Sequence, residues 1–183
     1  MKQKQVRDLM IPLEDYATVK KEDTIKEAVE ALEMIHEKYS EMHYKHRALL
    51  VLDDEGRVIG KLSMHDVIVA LEPAYHQMGD VRALSQSGLS MEFLQSIRES
   101  FSMWQYPLEH ICEKASRRPI KDVMYTPRES EHVEMETSLD EAIHQLVVGS
   151  HQSLLVTDRG TVVGVLRLTD VFHEVMLAIK ACQ

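Results

Sequence analysis

Cysteine is scarce in this chain: Cys112 and Cys182 are the only two. They stand far apart, which excludes a disulfide framework and a cysteine-rich metal site and leaves free thiols as the expectation for a cytosolic chain. No apolar run approaches the roughly 20 residues needed to cross a bilayer. The opening "MKQKQVRDLM" lacks the apolar core of a signal peptide. A soluble cytoplasmic protein is therefore expected. Positive charge is also short, with 21 Lys and Arg against 30 Asp and Glu, a net charge of −9. That balance argues against nucleic-acid binding, which depends on cations meeting phosphate. It leaves room for a small anion in a locally basic cleft. Catalytic signatures are missing too: there is no Walker loop, no G-x-S-x-G elbow and no H-E-x-x-H. His110 and Cys112 are near neighbours in sequence, but a nucleophilic pair needs a geometry that sequence proximity does not supply. The chain is not expected to be an enzyme.

What the sequence does contain, it contains twice. "VRDLMIP" (Val6 to Pro12) returns as "IKDVMYTP" (Ile120 to Pro127). At the same offset Val19 meets Val133, Ile25 meets Leu139 and Ala28 meets Ala142. Further along, "ALLVLDDEGRVIGKLSMHDV" aligns with "SLLVTDRGTVVGVLRLTDV", so that Gly56 matches Gly160, Gly60 matches Gly164 and Asp66 matches Asp170. A longer first helix and one extra turn residue in copy one absorb the change of offset. Two diverged copies imply two similar units that pack as a pair, with pseudo-symmetric clefts between them.

Each copy reads β-α-β-β-α, an α/β (α+β) unit. A short strand, "YATVK" or "HVEME", precedes a helix. In copy one Ile25, Val29, Leu32 and Ile35 fall on one helical face, with Asp23 or Thr24 as N-cap. In copy two the cap is Thr137 or Ser138 and Gly149 is the stop. Acidic residues followed by Gly56 or Gly160, set between β-rich runs, predict hairpins. A last helix starts near Asp66 or Asp170. Residues 1–71 make the first unit, 72–118 a connector and 119–183 the second unit. The connector is too long to be structureless in a compact domain. It should pack through a helix whose Phe93, Leu94, Ile97, Phe101 and Trp104 lie near one face, followed by a short helix with Pro107 in its first turn.

The repeat resembles a tandem pair of cystathionine-β-synthase (CBS) domains, often called a Bateman module. The resemblance covers nearly the whole chain except the connector. It rests on "DLM" or "DVM" before a proline loop, on the "ALLVLDDEGRVIG" hairpin, and on glycine–x–hydrophobic–Ser/Thr–x–x–Asp. Copy one keeps that last pattern as Gly60-Lys61-Leu62-Ser63-Met64-His65-Asp66. Copy two has Arg167 where the hydroxyl belongs, in Gly164-Val165-Leu166-Arg167-Leu168-Thr169-Asp170. The resemblance implies two motifs packed sheet to sheet about a pseudo-twofold axis, with dimerisation into a four-motif disc. It also implies a stand-alone regulatory protein that binds an adenosine-containing ligand (AMP, ADP, ATP or S-adenosylmethionine) and signals to a separate effector protein. The alternative is a ligand-free interaction or scaffold protein of the same fold.

The residues themselves carry a local reading beside the ligand reading. Ser63-x-x-Asp66 fits a capping box at a helix start. The same helix start presents amides to an anion, and the resemblance implies Ser63 on ribose or phosphate and Asp66 on the ribose diol. It implies an adenine slot from Ile11, Pro12, Ala17 and Thr18 in copy one and from Tyr125, Thr126, His132 and Val133 in copy two. Ile11, Ala17 and Val133 read equally as core. In copy two the ribose and phosphate contacts would fall on Arg167, Thr169 and Asp170. Arg167 either forks a ligand phosphate, or it fills the second cleft or pairs with a nearby acid and leaves the site empty. Lys61, His65, Arg47 and His46 either add positive charge to the first cleft or are solvated. His36, His43 and His46 cluster in sequence but straddle a helix end, so no metal is expected.

Overall fold

A computed structural model describes residues 4–38, 47–72, 74–77, 88–104 and 110–182, without the Cys112 side chain. The expectations for His43, His46 and Pro107 lie outside the described residues.

Copy one contributes β1 (Ile11–Pro12), β2 (Thr18–Lys20), α1 (Ile25–Lys38), β3 (Ala48–Leu52), β4 (Val58–Ser63) and α2 (Met64–Leu71). The connector carries α3 (Ala74–Gln77), α4 (Met91–Ser100) and α5 (Ile111–Arg117). Copy two contributes β5 (His132–Glu134), α6 (Leu139–Val148), β6 (Ser153–Asp158), β7 (Thr161–Arg167) and α7 (Leu168–Ala181). In each copy a parallel pair (β2/β3, β5/β6) is followed by an antiparallel hairpin (β3/β4, β6/β7). The hairpins turn through Gly56 at φ 79° and Gly160 at φ 81°, a conformation open to glycine at no steric cost. The two sheets meet through Leu50 of β3 and Leu155 of β6, which share one buried cluster with Ile11, Tyr16 and Val165.

The opening segments are exchanged between the copies. Val6 is fully buried in the core of copy two with Val133, Leu146, Leu154 and Leu166. Ile120 is fully buried in the core of copy one with Val19, Leu49, Val51 and Leu62. Burying side chains of this size stabilises by about 1.5–3 kcal/mol each. The backbone repeats the exchange on both sides: the Val6 and Arg7 amides donate to Thr137 and Met135, while the Ile120 and Lys121 amides donate to Asp23 and Lys21. β1 then pairs antiparallel with β7, Ile11 opposite Val165. Tyr125 bridges β4 at Lys61 in the same sense.

Local sequence accounts for most element boundaries. The Thr24 amide and hydroxyl donate to the Glu27 carboxylate, and the Glu27 amide reaches back to Thr24 Oγ1, so Thr24 starts α1. The buried face of α1 is Ile25 and Ala28, with Ala31, Leu32 and Ile35 packed beside them. Val29, expected on that face, is 50% exposed, since the packed stripe runs through Ile25, Ala28, Leu32 and Ile35 and leaves Val29 at its edge. Ser138 starts α6 and Gly149 ends it. In the connector α4 forms, but Phe93, Leu94, Phe101 and Trp104 are exposed and the helix buries none of its residues. Met103, just beyond it, is buried. The helix expected to follow it, α5, begins at Ile111.

Candidate ligand-binding sites

The exchange decides which residues meet. The segment of copy two around Tyr125 and Glu131 meets Lys61, two residues before Ser63, and the segment of copy one around Ile11 and Pro12 meets Val165 and Gly164, a few residues before Asp170. Each candidate site therefore has a segment of the other copy near it.

At the first site Ser63 ends β4 and caps α2. Its Oγ accepts from the Asp66 amide at 3.2 Å, and its own hydroxyl and amide donate to Asp66 Oδ2 at 2.6 and 2.9 Å. This is a complete capping box. Both side chains are half-buried, and His65 Nδ1 stands 4.0 Å from Asp66 Oδ1. The Arg47 carbonyl accepts from the Met64 amide, which places Arg47 beside the helix start with its side chain exposed.

Two residues back along β4, Lys61 reaches across to copy two. Its Nζ donates to Glu131 Oε2 at 2.7 Å, and neither side chain is a solvated surface group, with exposures of 12% and 7%. The Tyr125 hydroxyl donates to Glu131 Oε1, as does the Arg128 amide at 3.2 Å. Burial pushes the Glu131 carboxyl up; the bonds from Lys61 and Tyr125, the Lys61 charge and the Arg128 amide outweigh it and hold the group below the usual carboxylate range. His132 Nδ1 lies 2.9 Å from the Arg128 carbonyl, and Thr126 is exposed.

At the second site Arg167 occupies the position of Ser63. It is buried, not the surface group its residue type suggests, because its guanidinium forks onto Asp170: Nε to Oδ2 and Nη2 to Oδ1, both at 2.6 Å. Of the two readings of Arg167, pairing with a nearby acid is the geometry present. Thr169 is half-buried in the first turn of α7. From copy one, Ile11 and Pro12 lie against Val165 and Gly164. Tyr16 is buried and within electrostatic reach of the Arg167–Asp170 pair. Burial, partly offset by Arg167, pushes its hydroxyl up to about 12.

The side chains of Ala17 and Val133 belong to the two cores and that of Ile11 to the seam between the sheets. Thr18 is half-buried in β2 opposite Leu50. Sequence reasoning missed Glu131 and Tyr16. The available signal for Glu131 was an acid aligned with Ala17, at a position just ahead of β5, the first strand of copy two's unit. Among the described residues no group of three or more His, Cys, Asp or Glu side chains is placed to hold a metal ion. Among them, too, no helix is long and apolar enough to cross a membrane.

No curated protein matches the chain in sequence. Solved structures share its fold. The CBS-pair protein CBSX2 from Arabidopsis thaliana is 20% identical, with 97% of this chain and 98% of that one covered at a TM-score of 0.60. CBSX2 in complex with AMP is 19% identical over 98% and 99% of the two chains, with a TM-score of 0.58. The cytosolic domain of the Mg2+ channel MgtE in complex with ATP is 18% identical, over 94% of this chain and 49% of that one, with a TM-score of 0.57. The family model of the CBS domain matches residues 6–73 and 120–177, the two copies of the repeat and more than half of the chain. The protein belongs to the CBS domain family and carries two copies of the domain.

Proposed function

We propose that this CBS pair is a regulatory module that binds an adenosine-containing ligand and passes its bound state to a partner protein. The observation that carries the reading is the Ser63–Asp66 box at the start of α2, faced from the other copy by the segment around Tyr125 and Glu131. A hydroxyl and a carboxylate at a helix N-terminus suit a ribose phosphate: amides and hydroxyl for the anion, carboxylate for the diol. Neighbours of the same fold bind AMP and ATP. Because a segment of the other copy lies near the site, a ligand that reaches it bridges the two copies, and its differential affinity for two arrangements of the pair supplies the signal. The module works in this reading in the cytoplasm and by binding, not by catalysis.

A homodimer is part of the proposal. Ile68 of α2 and Phe172 of α7 are equivalent positions in the repeat and both are exposed, as are Met64, Val175 and Ile179 on the same helices. Matched apolar positions on two pseudo-equivalent helices suit a second copy of the chain. The same apolar surface is what favours the second reading, an interaction protein that works without ligand.

The test is isothermal titration of nucleotide-stripped protein with AMP, ADP, ATP and S-adenosylmethionine, with sedimentation to give the oligomeric state. Saturable binding lost in Asp66→Ala, with the fold kept, supports the sensor. No heat and no rise in Tm with any of the four at millimolar concentration would leave the interaction protein as the function.

A further inference from the structure

We infer that Arg167 is a built-in occupant of the second site, so that the chain carries one working ligand site, at Ser63–Asp66, and a closed counterpart at Asp170. The inference rests on the ligand reading above and concerns which of its two symmetric positions is open.

The repeat allows a position-by-position comparison. β4 and β7 run the same course, Val51 opposite Gly60 in one copy and Val156 opposite Gly164 in the other. The Met64 amide donates to the Arg47 carbonyl as the Leu168 amide donates to the Gln152 carbonyl. The frames are thus equal, and the side chains differ. Ser63 leaves the helix start lined by a hydroxyl, and its hydroxyl and amide both donate to Asp66 Oδ2. Arg167 engages both carboxylate oxygens of Asp170 at 2.6 Å. A ribose diol accepted by Asp170 would have to compete for those oxygens with a charge-assisted fork, which is shorter and stronger than a neutral hydrogen bond.

The carboxylates are enclosed to a similar degree, with side-chain exposures of 13% for Asp66 and 17% for Asp170, and what sets the second site apart is the guanidinium, 8% exposed, seated on its carboxylate. Separating a buried ion pair leaves each charge uncompensated. The guanidinium serves a local need as well. An arginine at a helix N-terminus is unfavourable to the helix dipole, and Asp170 in the first turn neutralises it. The surroundings have adapted in the same direction. Where the first site has Lys61, Tyr125 and Glu131, the second has Val165, Ile11 and Ala17, all buried. Tyr16 is buried within electrostatic reach of the Arg167–Asp170 pair. The second site has the packing of an interior, with the arginine where a ligand's ribose phosphate would lie.

The experiment is isothermal titration of the full chain with AMP and with ATP, comparing wild type, D66A, R167S and R167S/D66A, with circular dichroism to confirm folding. Wild type is expected to bind one nucleotide per chain and D66A none. R167S restores Ser-x-x-Asp in copy two and is expected to bind two, and R167S/D66A one. R167T serves if the serine variant does not fold. Two nucleotides per wild-type chain, or a folded R167S that gains none, overturns the inference. Binding that weakens in R167S would instead make Arg167 a phosphate ligand, and also overturns it. A wild type that binds neither nucleotide sinks the ligand reading itself, whereas binding gained by R167S would still support Arg167 as the occupant.

Discussion

Lys61 of β4 and Glu131 just ahead of β5 are joined by a 2.7 Å ion pair that links the two copies from inside, with neither side chain more than 12% exposed. Removing one partner of such a pair leaves a buried charge unmatched. Lys61→Met is expected to lower stability at pH 7 by roughly 3 kcal/mol, read from urea denaturation. Lys61→Met with Glu131→Gln should recover part of that loss. The pH dependence follows from the lowered Glu131 carboxyl. Its folded value lies below the unfolded one of about 4.3. The contribution is therefore fully present above that value and is lost as pH falls through the folded value. The gap between wild type and Lys61→Met should narrow as the pH is taken below about 4. A variant within about 0.5 kcal/mol of wild type at pH 7 would place the pair in solvent.

Gly60 and Gly164 lie where each opening segment crosses the other copy's hairpin. A Cβ at Gly164 would stand 2.5 Å from the Ile11 carbonyl oxygen, a backbone atom that cannot step aside alone. A Cβ at Gly60 would meet Met124 Sδ at 2.6 Å, the end of a flexible side chain, and the Tyr125 carbonyl only at 3.2 Å. Gly164→Ala is expected to cost roughly 1–3 kcal/mol by overpacking, and Gly60→Ala less. Thermal unfolding of the two variants checks the order. Equal effects would mean that β1 shifts as freely as a methionine side chain.

The repeat and its β-α-β-β-α unit were legible because they rest on local patterns: the periodicity of Ile25, Leu32 and Ile35, the turns at Gly56 and Gly160, the caps at Thr24 and Ser63. The exchange of the opening segments was not. Val6 and Ile120 look alike in sequence, and nothing local states whose core each will enter. That is settled by chain geometry, through β1 crossing Gly164 and Tyr125 crossing Gly60. For the same reason the site residues were readable as types and not as partners. Ile11 and Pro12 precede Ser63 in the chain yet lie with copy two, and Glu131 became visible as Lys61's partner only in space. The helix of the connector formed as its spacing predicts, but the exposure of Phe93 and Leu94 was not legible, because a helical spacing predicts a face without saying what covers it.

Ser63 has a structural share that can be separated from any ligand share. Ser63→Ala removes the acceptor for the Asp66 amide but leaves the Ser63 amide bond to Asp66 Oδ2 at 2.9 Å. Loss of such a cap costs about 1 kcal/mol, so the variant should fold with a Tm a few degrees lower. A larger fall in AMP affinity than this stability loss explains would assign Ser63 to the ligand. Unchanged affinity would leave it a cap.

The end of α2 opposite the first site is held by the connector. Glu72 is a buried carboxylate that accepts from the Trp104 amide at 2.8 Å and the Ala74 amide at 3.2 Å. Arg118 donates to the Ala70 carbonyl and Lys114 to the Leu71 carbonyl, so cations meet the negative end of the helix dipole. The indole of Trp104 donates to the Tyr75 hydroxyl at 3.1 Å. One helix thus begins at Ser63–Asp66 and ends on the contacts that anchor the connector, and a ligand that shifts its first turn acts on both. Trp104 is the sole tryptophan, so intrinsic fluorescence reads that anchor directly. Glu72→Ala is expected to shift Trp104 emission to the red and raise its quenching by acrylamide, at a cost of about 1.5–3 kcal/mol for the lost charged hydrogen bond. The sheet signature in circular dichroism should stay. In wild type, AMP should change the emission, and Asp66→Ala should abolish that change. Emission indifferent to Glu72→Ala would show that the connector is anchored by Lys114 and Arg118 alone, and indifference to bound AMP would mean that α2 does not carry the signal to the connector.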